Sequence, residues 1–201
     1  MKILPPPPDS LRAAVALLHA GGIVAHATET CYGLACNLSN ATAVARLFAV
    51  KERPPLQSVS GLFASIDQAK EYVLWNARAE ELAAAYLPGP LTLILPLRPS
   101  APMQLYPQSG ETAKPTTIGV RISSHPLALQ LVTLAGFPLS TTSGNLHGQP
   151  NPYSAEDIVT QFSQRSLQPD LILDSGTLPV VPPSTVMDLT SDGTVLRKGT
   201  V

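Results

Sequence analysis

Four short segments concentrate hydroxyls, amides and cations. They are Ala27-Thr28-Glu29-Thr30-Cys31-Tyr32-Gly33-Leu34, Lys51-Glu52-Arg53-Pro54, Thr116-Thr117-Ile118-Gly119-Val120-Arg121 and Ser140-Thr141-Thr142-Ser143-Gly144-Asn145. Singly, each has an ordinary explanation. Ser and Thr at strand ends form turns, and Lys or Arg in the last turn of a helix answers its dipole. Arg121 is harder to explain, because it interrupts an apolar strand. A buried guanidinium must be paired or face a polar cavity, since an isolated buried charge costs several kcal/mol. A cavity that receives an anion meets that need. Other chemistries lack their motifs. There is no P-loop, no G-x-G-x-x-G and no G-x-S-x-G elbow. His19, His26, His125 and His147 are scattered without zinc spacing. The expected chemistry is one of charge neutralisation and positioning, without a side-chain nucleophile.

Elements that could hold these segments follow from periodicity and punctuation. Pro5 to Pro8 read as a stiff, non-helical leader, so residues 1–8 are set apart from a single domain over 9–201. Helices are expected from Leu11 to about Ala20, from Asn40 to near Lys51, over 66–75 and 77–87, from Pro126 to Ala135, and after a capping box at Ser154. Strands are expected at 23–25, 61–64, 91–97, 117–122, 137–140, 171–174, 185–189 and 194–197. Residues 26–37, 98–116 and 141–153 read as loops, the second long enough to suggest a role over a ligand. Helices and strands alternate without a repeat, which predicts an α/β or α+β sheet with helices packed on it.

Composition narrows the partners. The chain has 201 residues, 44% of them hydrophobic, 13% charged, with a net charge of −1. That balance excludes bulk electrostatic attraction to nucleic acid or an anionic membrane as the main mode of action. No run of apolar residues has the length of a membrane-spanning helix, and the N-terminus lacks a signal-like apolar core; a cytoplasmic location is expected. Cys31 and Cys36 are expected to be reduced structural thiols.

In order and spacing, T-E-T-x-Y-G-L, K-x-R-P, P-G-P-L-T-L-I-L-P, V-R-x-x-x-H-P, S-T-x-S-x-N, S-T-V-x-D-L and L-R-x-G resemble the YrdC/Sua5 family of L-threonylcarbamoyladenylate synthases. The resemblance runs from about Gly22 to Gly199 and is to the short type, without the extra C-terminal domain of the longer Sua5 proteins. It implies an α/β (α+β) fold, a YrdC-like open twisted, mostly mixed sheet with flanking helices around a deep basic cavity. It implies a nucleotidyltransferase that joins L-threonine, bicarbonate or CO2 and ATP into threonylcarbamoyl-AMP and pyrophosphate. The product would go to a tRNA threonylcarbamoyltransferase complex for t6A modification.

By the same resemblance, Lys51 and Arg53 would be catalytic and hold the ATP phosphates. Thr117, Ser143, Asn145, Asn151 and Arg197 would contact the nucleotide. Arg121 would grip the threonine carboxylate with a bidentate fork, and Thr28, Thr30, Thr141 and Ser184 would line the amino-acid pocket. Magnesium would bridge the phosphates, with Glu29 as a candidate protein ligand. The sequence departs from the family pattern at Ala27 (for Pro), Ser58-Val59 (for Pro-Leu), Leu62 (for a histidine of some members), Ser123 (for Pro) and His147 (for Ser). These changes spare the cations and the Ser143/Asn145 pair. Rival readings are a YciO-like relative without synthase activity, a carbamoyl-adenylating domain, and a non-enzymatic RNA-binding module; weak RNA binding beside the synthase activity is a further expectation.

Overall fold

The computed structural model describes residues 1–5, 9–54, 59–103, 116–191 and 193–201. The chain runs β1 (Lys2–Leu4), α1 (Asp9–His19), β2 (Val24–Ala27), β3 (Tyr32–Ala35), α2 (Ala41–Lys51), β4 (Gly61–Leu62), α3 (Ile66–Tyr72) and α4 (Ala77–Tyr86). It continues with β5 (Leu91–Pro96), β6 (Thr117–Arg121), α5 (Pro126–Ala135), β7 (Leu139–Ser140), β8 (Thr142–Ser143), α6 (Ala155–Phe162), β9 (Leu171–Leu173), β10 (Thr185–Asp188) and β11 (Thr194–Arg197). Among these elements no helix is long and apolar enough to cross a membrane.

Helix starts follow their caps. The Asn40 side chain accepts the Ala43 N–H at 3.1 Å, and Ser154 and Asp157 form a reciprocal capping box. Pro126 opens α5 behind His125, whose ring accepts the Leu127 N–H at 3.3 Å.

The strands form two mixed sheets where the sequence suggests one. The first has the order β1-β9-β2-β3-β8, the second β11-β10-β5-β6-β4-β7. Side chains of the first sheet alternate between two cores. Val24, Ala35, Leu171 and Leu173 pack with α1 and α5, while Ala25, Leu34 and Ile172 pack on the opposite face. Burial on both faces is why β2 and β9 read as short continuous apolar runs. The chain changes sheets at Thr141, between β7 and β8. There Ser140 N–H donates to Cys36 O and Thr141 N–H to Ser60 O, at 2.9 and 2.8 Å.

Three strands lie where no strand is expected. β1 falls within the leader, yet pairs in parallel with β9. β3 lies inside the polar segment 26–37, paired antiparallel to β2. β8 lies inside 141–153, paired antiparallel to β3. Each is two to four residues long and defined by a partner strand, which no local periodicity reports. Most of the 98–116 loop, together with Pro6 to Pro8 and Ser58, lies outside the described residues.

Candidate active site

The turn between β2 and β3 forms the first wall. Thr28 Oγ1 donates to Cys31 O at 2.7 Å and accepts the N–H groups of Thr30 and Cys31. One threonine thus ties the turn together, and Thr30 Oγ1 stands 3.0 Å from Thr28 Oγ1. Arg121, at the end of β6, reaches this turn. Its Nη2 donates to Thr30 Oγ1 at 2.8 Å and to Glu29 Oε1 at 2.6 Å. Ser123 Oγ donates to Glu29 Oε2 and accepts the His125 N–H at 3.1 Å. Burial acts to raise the pKa of Glu29, but the Arg121 charge and the hydrogen bonds from Ser123 and Arg121 outweigh it and hold the carboxyl below its usual range.

The second wall comes from the end of α2 and from β8. Lys51 is the last helical residue, and Glu52 turns the chain through a left-handed conformation at φ 51°. The two cations therefore leave in different directions. Lys51 is 3% exposed, and its Nζ donates to Ser143 O and, at 2.6 Å, to Asn145 O. Burial, with the Arg53 charge, brings its pKa down to about 7. Arg53 Nη1 donates to Thr142 Oγ1 at 3.3 Å. Ser143 Oγ donates to Asn145 Oδ1 at 2.5 Å. The Asn145 amide nitrogen donates to Leu146 O and Gln149 O, at 2.8 and 2.6 Å.

The third wall joins β5 to the C-terminal strands. Arg197 donates from Nε to Ser184 O and from Nη2 to Ser184 Oγ, both at 2.9 Å, and Ser184 Oγ lies 3.1 Å from Thr92 Oγ1. Gly199 makes this approach feasible. A Cβ there would stand 2.0 Å from Pro183 O and 2.6 Å from the Ser184 carbonyl carbon. The glycine of L-R-x-G thus lets the strand carrying Arg197 lie against the backbone carrying Ser184.

Between these walls lies a cavity of about 250 Å³. Of the residues expected from sequence, Thr28, Thr30, Arg53, Arg121, Thr141, Ser143, Asn151, Ser184 and Arg197 line it. Lys51, Asn145 and Thr117 do not. Lys51 and Asn145 are spent on holding the 143–149 loop, and Thr117 is at the opposite end of β6 from Arg121. The bidentate fork expected of Arg121 is not free, because Nη2 is committed to Glu29 and Thr30. Glu29, the candidate magnesium ligand, has both carboxylate oxygens engaged. Among the described residues no three His, Cys, Asp or Glu side chains come together to hold a metal. A protein-held magnesium site does not fit these residues.

Sequence reasoning missed Ser60, Thr92 and Thr142 as lining residues. Thr92 had a signal, a hydroxyl inside the apolar strand Leu91 to Leu95. Cys31 and Cys36 are both reduced and buried, as expected. Cys31 also lines the cavity, with its thiol pKa raised by burial. The lining is cationic. Three guanidinium groups and a ring of hydroxyls face the hollow, and among the described residues no carboxylate lines it. Burial pushes Arg53 and Arg197 toward their neutral forms, and the Arg121 charge adds to the effect at Arg197. A bound anion relieves both.

His26 sits on β2 opposite Gly33. Its Nδ1 lies 3.1 Å from Ala27 O, and its Nε2 is buried without a partner. Burial lowers its pKa from 6.5 to about 4. The unfolded chain therefore binds more protons between these values, and the fold loses stability as pH falls from 6.5 toward 4. Denaturant melts should show wild type losing about 3 kcal/mol more than His26→Gln over that window. Parallel losses in the two proteins would refute the assignment.

Three comparisons place this geometry among known proteins. A model for Sua5, YciO and YrdC proteins, described as telomere recombination, matches residues 16–199. The threonylcarbamoyl-AMP synthase of Pyrococcus abyssi is 35% identical over 192 residues, covering 94% of this chain and 53% of that protein. The chain thus spans about half the length of the first curated relatives it matches. P. abyssi Sua5 complexed with L-threonine superposes with a TM-score of 0.85 at 31% identity, over 99% of this chain and 58% of that one. Escherichia coli YciO superposes with a TM-score of 0.81 at 27% identity, over 99% of this chain and 95% of that one.

Proposed function

Because the chain belongs to the Sua5/YciO/YrdC family, we propose that it is a threonylcarbamoyl-AMP synthase, joining L-threonine, bicarbonate or CO2 and ATP with release of pyrophosphate. The observation that carries this reading is the convergence of Arg53, Arg121 and Arg197 with hydroxyls on one hollow that, among the described residues, no acid lines. The reaction needs such a place. The threonine amine adds CO2 to give a carbamate, whose oxygen attacks the α-phosphorus in line while pyrophosphate leaves. The nucleophile is already anionic, so positioning and charge neutralisation supply the catalysis. At about 250 Å³ the cavity is at the small end for ligand sites, suited to the amino acid and the reacting phosphate.

Arg121 receives the threonine carboxylate, with Thr28, Thr30, Thr141 and Ser184 around the side chain and amine. Arg53, Arg197, Ser143 and Asn151 face the nucleotide. Lys51 and Asn145 act through the 143–149 loop that they hold. Magnesium enters as part of the Mg–ATP substrate. The product passes to a tRNA threonylcarbamoyltransferase complex.

Pyrophosphate release, followed with each substrate left out in turn, tests the proposal. The expected result is release that requires both L-threonine and bicarbonate. ATP binding without threonine-dependent release would overturn it and favour a YciO-like role.

A further inference from the structure

Glu29 adjoins the cavity without lining it, its side chain 15% exposed beside an Arg121 side chain 10% exposed. Its two oxygens are held from two directions, by Arg121 Nη2 and by Ser123 Oγ. Ser123 in turn accepts the His125 N–H at the start of α5, so the carboxylate is braced against a helix. Nη2 of Arg121 gives one hydrogen to Glu29 and the other to Thr30, and has none left for a ligand. Arg121 Nε lies buried with no partner. With Nη2 committed to protein and Nε buried, Nη1 is the nitrogen left to meet an acceptor in the cavity that Arg121 lines.

We propose that Glu29 is a positioning residue, which latches Arg121 by one Nη2 hydrogen so that Nη1 receives the carboxylate of the amino-acid substrate. The inference rests on the threonine reading above. An unlatched guanidinium spreads over several rotations, and the apparent affinity falls by the fraction that remains competent. Ser123, which stands where the family pattern has proline, supports the latch by fixing the second oxygen. The device depends on hydrogen bonds more than on charge. A glutamine at this position offers Oε1 to Nη2 and its amide nitrogen to Ser123 Oγ, which has lone pairs to accept it.

Steady-state kinetics of Glu29→Ala, Glu29→Gln and Ser123→Ala test the latch, with a crystal structure of Glu29→Ala as a readout independent of turnover. Glu29→Ala should raise the KM for threonine about tenfold or more, with kcat and the KM for ATP changed by no more than about twofold. Glu29→Gln should return the threonine KM most of the way to wild type, and Ser123→Ala should raise it a few-fold. The crystal structure should show the Arg121 guanidinium turned away from Thr30. If Glu29→Ala does not fold, Ser123→Ala reads the same displacement more weakly. An unchanged threonine KM with Arg121 unmoved overturns the proposal. So does a lowered threonine KM, which would make Glu29 a competitor for Arg121. Equal damage in Glu29→Gln and Glu29→Ala with a raised ATP KM also overturns it, as a charge or metal role would act that way. If wild type shows no threonine-dependent turnover, the proposed function fails, and the position of Arg121 in the variant still decides the latch.

Discussion

Arg121→Ala should lower kcat/KM for L-threonine by about a hundredfold or more, with most of the loss in the KM for threonine. A charge-assisted hydrogen bond contributes roughly 1.5–3 kcal/mol, and the Nη1 pair that Arg121 retains can give up to two. The same substitution leaves Glu29 buried with Ser123 as its remaining side-chain partner among the described residues. Its pKa then rises, because burial dominates once the opposing charge is gone. Arg121→Lys separates the two effects. It keeps a cation near Glu29 but presents a point charge in place of a planar guanidinium held on two sides, and should restore stability more fully than threonine affinity. Threonine saturation curves and denaturant melts on both variants check this. A wild-type threonine KM in a folded Arg121→Ala protein would remove Arg121 from the amino-acid site.

Lys51→Met should be the second large loss, through a different route. Methionine fills most of the volume but leaves the carbonyls of Ser143 and Asn145 without their donor. An unsatisfied buried carbonyl costs about 1–3 kcal/mol, so the variant should lose a few kcal/mol of stability and about ten- to a hundredfold in use of ATP. The pH dependence identifies the cause. Lys51 has a pKa of about 7 in the fold, lowered first by burial and then by Arg53, against an ordinary 10.4 in the unfolded chain. Between these values the unfolded chain binds more protons, so wild type gains stability relative to Lys51→Met as pH rises from 7 to about 10. Below pH 7 both states of the wild type are protonated and the difference levels off. Melts across that range check the sign, and a flat difference would mean that the ammonium is not buried as described.

Local signals were readable wherever a residue acts on its own neighbours. Asn40, Ser154 with Asp157, and Pro126 behind His125 each start a helix by bonding or shaping the next turn. Arg121 was readable as a site residue because a charge inside an apolar strand needs a partner from elsewhere. β8 was not readable, since its two residues become a strand only by pairing with Gly33 and Leu34, more than a hundred residues earlier. Lys51 and Arg53 look alike in the motif and separate only because Glu52 takes a left-handed turn between them.

Taken alone, the order of residues determined which groups were available for chemistry, a set of cations and hydroxyls without a nucleophile, and which stretches could become helices. These depend on composition and on contacts within a turn or two. Tertiary structure decided which cation faces the hollow and which is used to hold a loop. It decided too that the two carboxylate oxygens of Glu29 meet Arg121 and Ser123. Those outcomes depend on where side chains from distant strands meet, and the distance and direction of such a meeting come from the register between strands, which nearby residues do not encode.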